Sequence, residues 1–492
     1  MVRAHRFLIS AAHKSSGKTT VAVGLAAALS ARGLSVQPFK KGPDYIDPMW
    51  LTLASGRRCL NLDPYLSEKA EILGAFARHA ANADVALVEG NKGLYDGLAL
   101  DGSNSNAAVA RMLGLPVVLV IDARGMTRGI APLILGYQAF DRDIRIAGVI
   151  LNQLGGSRHE AKLRAVIEHY TDVPVLGAVH HDPRLAIVER HLGLMPCNET
   201  GDAPAHVADI GAAIGSQVDL DRLLAIAGDV PPLAALAGNP LSAPIAAAAP
   251  PCSASTADLR IGIAQDRAFG FYYADDLDAF AAAGATLVAF DTLADKHLPD
   301  VDALVIGGGF PELFARELEA NAPLRERIRI AIDAGLPVYA ECGGLMYLSR
   351  SLTHEGHTYR MVGTIEGDIV MHERPVGRGY VVLSETSAFP WPAPTNEATE
   401  VRAHEFHYAS LENLATDTRF AYRVRRGHGV DGERDGIVTR NLLASFAHRR
   451  STDRNNWAAR FVAFVRACGY SQRRAANRGW VDPSHACERL VV

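Results

Sequence analysis

The stretch Ala12-His13-Lys14-Ser15-Ser16-Gly17-Lys18-Thr19-Thr20 joins a strand-like apolar run, residues 7–12, to a helical run, residues 18–32, with Gly33 as its C-terminal cap. A turn closed by Gly-Lys-Thr at the start of a helix turns its backbone N–H groups toward one point. Those amides can cradle phosphate oxygens, a lysine adds a point charge, and the following hydroxyl is placed for Mg²⁺. Ala12 stands where the general pattern has its first glycine, but the strand, the Gly17-Lys18-Thr19 core and the helix all remain. Ser15, Ser16, Gly17, Lys18, Thr19 and Thr20 are therefore the candidate nucleotide-binding residues, with ATP and Mg²⁺ as the expected ligands. The plainer alternative, a Ser/Gly turn that only caps a helix, leaves Lys18 without a task.

Outward from this turn, short runs rich in Val, Ile and Leu recur at residues 35–39, 85–89, 117–122 and 146–152, each closed by a polar residue and separated by amphipathic stretches. That rhythm predicts βαβ units and a parallel sheet. Glu89 ends one of these strands and is a candidate metal ligand beside Thr19. The turn Lys40-Lys41-Gly42-Pro43-Asp44-Tyr45-Ile46-Asp47-Pro48 follows another. Turn chemistry accounts for Gly-Pro-Asp, whereas paired lysines suit phosphates and an anionic substrate.

Residues 231–257 are rich in Ala, Pro and Ser and read as a linker. The strand rhythm restarts at residues 259–266 and recurs at 286–291, 303–307 and 337–341, which predicts a second α/β domain. An amphipathic helix over residues 457–468 and a polar, Arg-rich tail follow. The expected division is 1–230, a linker over 231–257, 258–470, and a tail over 471–492.

In the second domain, Pro337-Val338-Tyr339-Ala340-Glu341-Cys342-Gly343-Gly344 reads as a strand, a tight turn and a helix, with Cys342 at the turn. This is the logic of a nucleophile elbow, in which a helix N-terminus favours the negative sulfur. Gly308 and Gly309 upstream, with the Gly343 N–H, offer an oxyanion hole. Cys342 needs a base. His448, after a strand-like segment over residues 436–446, is preferred, with His404 and His407 as rivals. No third ligand at a suitable spacing makes those two a metal site.

Bulk properties set limits. At 492 residues two or three domains are expected, and the formal net charge of -4 gives no basic field for nucleic acid and no polybasic membrane anchor. No apolar run approaches the ~20 residues of a membrane span, and the start of the chain lacks a signal-peptide core. Six cysteines without a CxxC pair suggest a reducing compartment, with the cytoplasm as the default.

With these motifs in place, the chain resembles the cobyrinic acid a,c-diamide synthase family over nearly its whole length. The resemblance rests on Val36–Lys40, Gly42–Pro48, Asn61-Leu62-Asp63, Gly93–Gly97, Gly148–Asn152, Glu189–Leu194, Tyr339–Gly344 and His404-Glu405-Phe406-His407-Tyr408. It implies an α/β fold with two parts. A P-loop, dethiobiotin-synthetase-like parallel-sheet domain would be followed by a class-I-type, flavodoxin-like glutamine amidotransferase domain. It further implies that carboxylates of a polycarboxylic tetrapyrrole are phosphorylated with ATP and displaced by ammonia from L-glutamine. On this reading Cys342 is the nucleophile and His448 its activating base. Thr19, Asp47 and Glu89 serve the metal, and Lys40, Asp44, Asp96, Arg190 and His191 serve the substrate. His404 and His407 are expected to act mainly on the tetrapyrrole. A homodimer is left open.

Three segments depart from the family pattern: Asn91-Lys92 in place of an apolar pair, Gly102–Ala107 in place of a Gly-Ser-Thr segment, and Arg449-Arg450 where a second histidine is usual. They resemble a side branch acting on siroheme or a metal-sirohydrochlorin. A rival of another class is a P-loop ATPase switch. Such switches carry a second lysine where His13 stands here, and they have no use for Cys342.

Overall fold

The computed structural model describes residues 4–190, 193–230, 259–392 and 400–469. It divides into two compact units, Met1–Pro244 and Ile245–Val492. The expected linker and tail lie outside the described residues.

The first unit is built on seven parallel strands: β1 (His5–Ala11), β2 (Val36–Lys41), β3 (Leu60–Leu62), β4 (Val85–Glu89), β5 (Val117–Asp122), β6 (Ile146–Leu154) and β7 (Val175–His180), in the order β3-β2-β4-β1-β5-β6-β7. Their Val, Ile and Leu side chains are buried, as a parallel sheet covered on both faces requires. Helices α1 (Lys18–Ala31), α2 (Ile46–Ser55), α3 (Lys69–Ala80) and α4 (Asn106–Leu113) return the chain between strands. α1 stops where Gly33 adopts φ +83°. β2 runs two residues past its expected end because Lys40 and Lys41 pair with Asn61 and Leu62 of β3, a strand too short to read from periodicity. β1 lies centrally, and the chain leaves it first to one side and later to the other. Ligands of open parallel sheets sit at the carboxyl ends of strands at such a switch point. The register sets Lys40 of β2 beside Glu89 of β4, and Glu89 beside Ile9 of β1, at that edge.

The second unit carries a nine-stranded sheet. Its strands are β8 (Leu259–Ala264), β9 (Ala285–Phe290), β10 (Ala303–Ile306), β11 (Val338–Glu341), β12 (Gly377–Glu385), β13 (Glu400–His407), β14 (Arg419–Arg426), β15 (Arg434–Thr439) and β16 (Leu442–Ser445), in the order β9-β8-β10-β11-β16-β15-β14-β12-β13. The half from β9 to β16 is parallel. From β16 to β13 it is antiparallel, a half that the apolar rhythm did not announce. The segment over residues 436–446 is a hairpin, not one strand. Arg440 takes φ +51° between β15 and β16, a left-handed turn conformation that hydrophobic periodicity does not register. The helix Trp457–Cys468 forms as expected and packs its aromatic face on the sheet.

Candidate active sites

α1 is preceded by Gly17 as N-cap, which has φ +77° and no side-chain cap, so the first amides of the helix point at the loop without a protein acceptor from its N-cap. A β-carbon at Gly17 would run into the amide of Asn152, whose Nδ2 donates to the Ser16 carbonyl at 2.9 Å. Close approach therefore demands glycine here. Ser16 Oγ donates to the His13 carbonyl at 2.8 Å and closes the loop on itself, while Ser15 sits at φ +61°. Thr20 lies in the first turn of α1.

Charged groups converge beside this loop. Lys18 Nζ lies 3.2 Å from Glu89 Oε1, and Thr19 Oγ1 donates to the same oxygen at 2.6 Å and lies 3.3 Å from Asp47 Oδ2. Lys40 ion-pairs with Asp47, lies 3.2 Å from Glu89 Oε1 and 3.8 Å from Asp44 Oδ2. Burial disfavours the Lys40 ammonium, but Asp47, Glu89 and Asp44 together carry its pKa above the ordinary lysine value. Burial pushes the Asp44 carboxyl up to about 7, helped by Asp47. Burial acts on Asp47 in the same direction, yet Lys40 and Lys18 outweigh it and hold its carboxyl below the usual range.

Glu89 is fully buried, and its Oε2 has no hydrogen-bond partner among the described residues. An orphaned carboxylate oxygen beside Thr19 and Asp47 supplies the hard oxygen donors that Mg²⁺ prefers. No cluster of three or more His, Cys, Asp or Glu among the described residues is built to hold a metal alone.

The five substrate expectations fare differently. Lys40 and Asp44 join this cluster, and Asp44 Oδ1 also accepts from the Ile46 and Asp47 amides at 3.0 and 3.1 Å. Asp96 is exposed and accepts from the Gly93 N–H at 2.9 Å, closing its own turn. The Arg190 side chain and His191 lie outside the described residues. Sequence reading missed Asn106, which is fully buried. Its Nδ2 donates to the Asn91 and Gly93 carbonyls at 2.7 and 2.8 Å, and its Oδ1 accepts from the Asn91 N–H at 2.9 Å. Two of the departures from the family pattern are thus one hydrogen-bonded unit.

In the second unit, Cys342 sits between β11 and the helix Gly343–Leu348 with φ +47° and ψ −100°. A non-glycine residue held there is strained, and such strain clusters where a side chain must be presented sharply. The Cys342 N–H donates to the Ser445 carbonyl at 2.8 Å, so β16 holds the elbow from the side. A β-carbon on Gly344 would run into the Ile306 carbonyl, and one on Gly343 would come within 3.1 Å of the Gly309 nitrogen. Gly308 and Gly309 form a two-residue ribbon with Phe269–Phe271 that brings the Gly309 amide to the elbow.

The Cys342 sulfur acts electrostatically on His448, whose Nδ1 lies 3.5 Å from Glu341 Oε2. Burial would strip the ring of its proton, but the Cys342 sulfur and the Glu341 carboxylate outweigh burial and raise its pKa to about 10. Glu341 is fixed in turn by the Tyr339 hydroxyl at 2.6 Å and the Arg449 N–H at 2.8 Å. The Arg449 guanidinium is buried among Phe389, Trp391 and Tyr422, and it donates to the Tyr422 hydroxyl and to Asn455 Oδ1 at 2.8 and 2.6 Å. Arg450 pairs with Asp275 at 2.6 Å. The two arginines thus anchor the strand end that carries His448.

His404 and His407 are both buried inside the second unit. His404 stacks on His448, and His407 stacks on Phe446 with ring centroids 4.0 Å apart while its Nδ1 bonds the Ala409 carbonyl at 2.8 Å. Alternation along β13 turns residues 404 and 406 to the opposite side from 405 and 407.

Comparison with known proteins finds one known domain within each unit. Residues 8–194 match the CobQ/CobB/MinD/ParA nucleotide binding domain, and residues 260–456 match the CobB/CobQ-like glutamine amidotransferase domain. A cobyrinate a,c-diamide synthase of Magnetococcus marinus is 47% identical over 473 residues, covering 95% of this chain and 98% of that protein. One of Methanosarcina acetivorans is 44% identical over 468 residues, covering 90% and 92%. One of Archaeoglobus fulgidus is 40% identical over 458 residues, covering 93% and 96%. With identity of this level running through both units, the chain belongs to the cobyrinate a,c-diamide synthase family, as a C–N ligase that takes its amido nitrogen from glutamine.

Proposed function

We propose that the chain uses ATP to amidate the a and c acetate side chains of a tetrapyrrole, cobyrinic or hydrogenobyrinic acid. The observation that supports this most is the convergence of Lys18, Thr19, Lys40, Asp47 and Glu89 at one edge of the first sheet. In the first unit, the α1 amides and Lys18 hold the nucleotide phosphates. Thr19, Asp47 and Glu89 would hold Mg²⁺, which spreads the charge of the transferring phosphoryl group. A substrate carboxylate oxygen forms a bond to the γ-phosphorus as the bond to ADP breaks, giving an acyl phosphate. Ammonia then displaces phosphate and leaves a carboxamide. Lys40, Asp44, Asp96, Arg190 and His191 are the residues assigned to the substrate.

In the second unit, the Cys342 sulfur attacks the glutamine side-chain carbonyl. The oxyanion is met by the Gly343 N–H and by amides of Gly308 and Gly309. The His448 imidazolium gives its proton to the leaving ammonia, then as the neutral ring takes one from the water that hydrolyses the thioester to glutamate. Four free cysteines and no disulfide stand among the described residues, in keeping with a cytoplasmic setting. No helix among them is long and apolar enough to cross a membrane.

A nucleotide switch would leave the Cys342–His448 pair without a task. The siroheme reading concerns only the ring. Offering cobyrinic acid, hydrogenobyrinic acid and siroheme in competition, with mass spectrometry of the products, tests both. Gains of two amide nitrogens on a corrin precursor are expected. Amidation of siroheme alone moves the chain to the side branch, and no amidation of any ring defeats the proposal.

A further inference from the structure

Successive residues of a strand face opposite sides of its sheet, so Lys40 and Lys41 of β2 enter different surroundings. Lys40 meets the carboxylates of Asp44, Asp47 and Glu89. Lys41 is also buried, but no described carboxylate forms an ion pair with it. Its Nζ donates instead to the neutral Oδ1 of Asn104 at 3.1 Å. The other end of that amide, Asn104 Nδ2, is buried and has no acceptor among the described residues. A buried ammonium facing a neutral group keeps little of the solvation it gave up. Burial accordingly lowers the Lys41 pKa to about 8, with Asp63 opposing and Lys92 and Lys40 adding to the fall.

An ammonium and an amide N–H that both lack an anionic acceptor are complementary to one oxyanion. The loops around them are braced. Ser105 caps α4 by accepting from the Ala108 N–H, and Asn106 pins the backbone on either side of Lys92. We propose that Lys41 and Asn104, with Lys92 at the rim, form an oxyanion subsite at the carboxyl edge of the first sheet, taking a carboxylate of the polyacid substrate or a phosphoryl group of the nucleotide. On binding, a ligand oxygen replaces Asn104 Oδ1 at Lys41, and the rotated amide donates Nδ2 to the same group. The carboxylate alternative rests on the amidation proposed above.

Asn104→Asp decides between this role and a merely structural one. It keeps the size of the side chain and gives Lys41 a carboxylate, so a structural contact is retained or strengthened, whereas an incoming oxyanion is repelled. In the full chain, cobyrinic acid binding is followed by its visible absorption, ATP binding by calorimetry, and folding by the thermal midpoint. Asn104→Asp and Lys41→Met are each expected to weaken one ligand by about tenfold or more, with the midpoint of Asn104→Asp not lowered. Loss confined to cobyrinic acid assigns the subsite to a carboxylate, and loss confined to ATP assigns it to a phosphoryl group. Wild-type affinity for both ligands in Asn104→Asp overturns the subsite, as does a loss that comes with a lowered midpoint in both variants. Failure of the unaltered protein to bind cobyrinic acid counts against the tetrapyrrole reading, and the ATP measurement then still decides the subsite.

Discussion

The imidazole of His404 lies flat on that of His448, with ring centroids 4.9 Å apart and planes inclined by 17°, and the two residues exchange backbone hydrogen bonds of 2.7 and 3.2 Å. His404 is also placed by the Tyr273 hydroxyl, 3.2 Å from its Nδ1. Burial, and then the neighbouring His448, keeps the His404 pKa well below the usual histidine value, so the wall beside the His448 imidazolium is neutral. His448→Ala should lower glutamine-dependent turnover by about 10²-fold or more, with alkylation of Cys342 still detectable. His404→Ala should lower the glutaminase rate and His404→Phe, which keeps a flat ring, should lower it less. A normal rate in His448→Ala with a dead His404→Ala would move the base to His404.

The Cys342 sulfur and, after it, Glu341 set where His448 loses its proton. Above its raised value of about 10 the ring is neutral and cannot protonate the leaving ammonia, so glutaminase activity should fall on the alkaline side there. Removing a negative neighbour makes the imidazolium a stronger acid. Glu341→Gln should therefore move the alkaline limb to lower pH, which a pH–rate profile of glutamine hydrolysis would show. An unmoved limb would detach Glu341 from the base.

Two glycines near the elbow should respond differently to alanine. A β-carbon on Gly308 would come within 2.6 Å of His448 Cε1, a side-chain atom, so Gly308→Ala should displace the base and slow glutaminase while the fold persists. At Gly344 the obstacle is the backbone carbonyl of Ile306 in β10, and overpacking of a buried site costs about 1–3 kcal/mol or more. Urea melts beside glutaminase rates separate the two: Gly344→Ala should lose stability first.

The two chemistries should come apart by mutation. Cys342→Ala is expected to abolish synthesis from glutamine while free ammonia still supports it. Lys18→Ala or Glu89→Ala should lower synthesis with either donor by about 10²-fold or more while glutamine hydrolysis survives. Equal loss with both nitrogen donors in Cys342→Ala would defeat this division.

The motifs legible in the sequence were those whose parts are covalent neighbours. Ala12–Thr20 and Pro337–Gly344 each carry strand, turn and helix in a dozen residues or fewer, and the strand Val85–Glu89 and helix Trp457–Cys468 were read to the residue because their apolar patterns are local. What faces the reactive groups was decided by tertiary structure. Glu341 lies beside Ser445, and His404 beside His448, through ladder pairings between distant segments. Lys40 and Lys41 differ because adjacent strand residues face opposite ways, which only the packed sheet turns into three carboxylates for one and an amide for the other. The antiparallel half of the second sheet and the hairpin at Arg440 stayed hidden for the same reason. Periodicity records which side of a segment is buried, whereas register and strand order depend on contacts that form only when the whole chain packs.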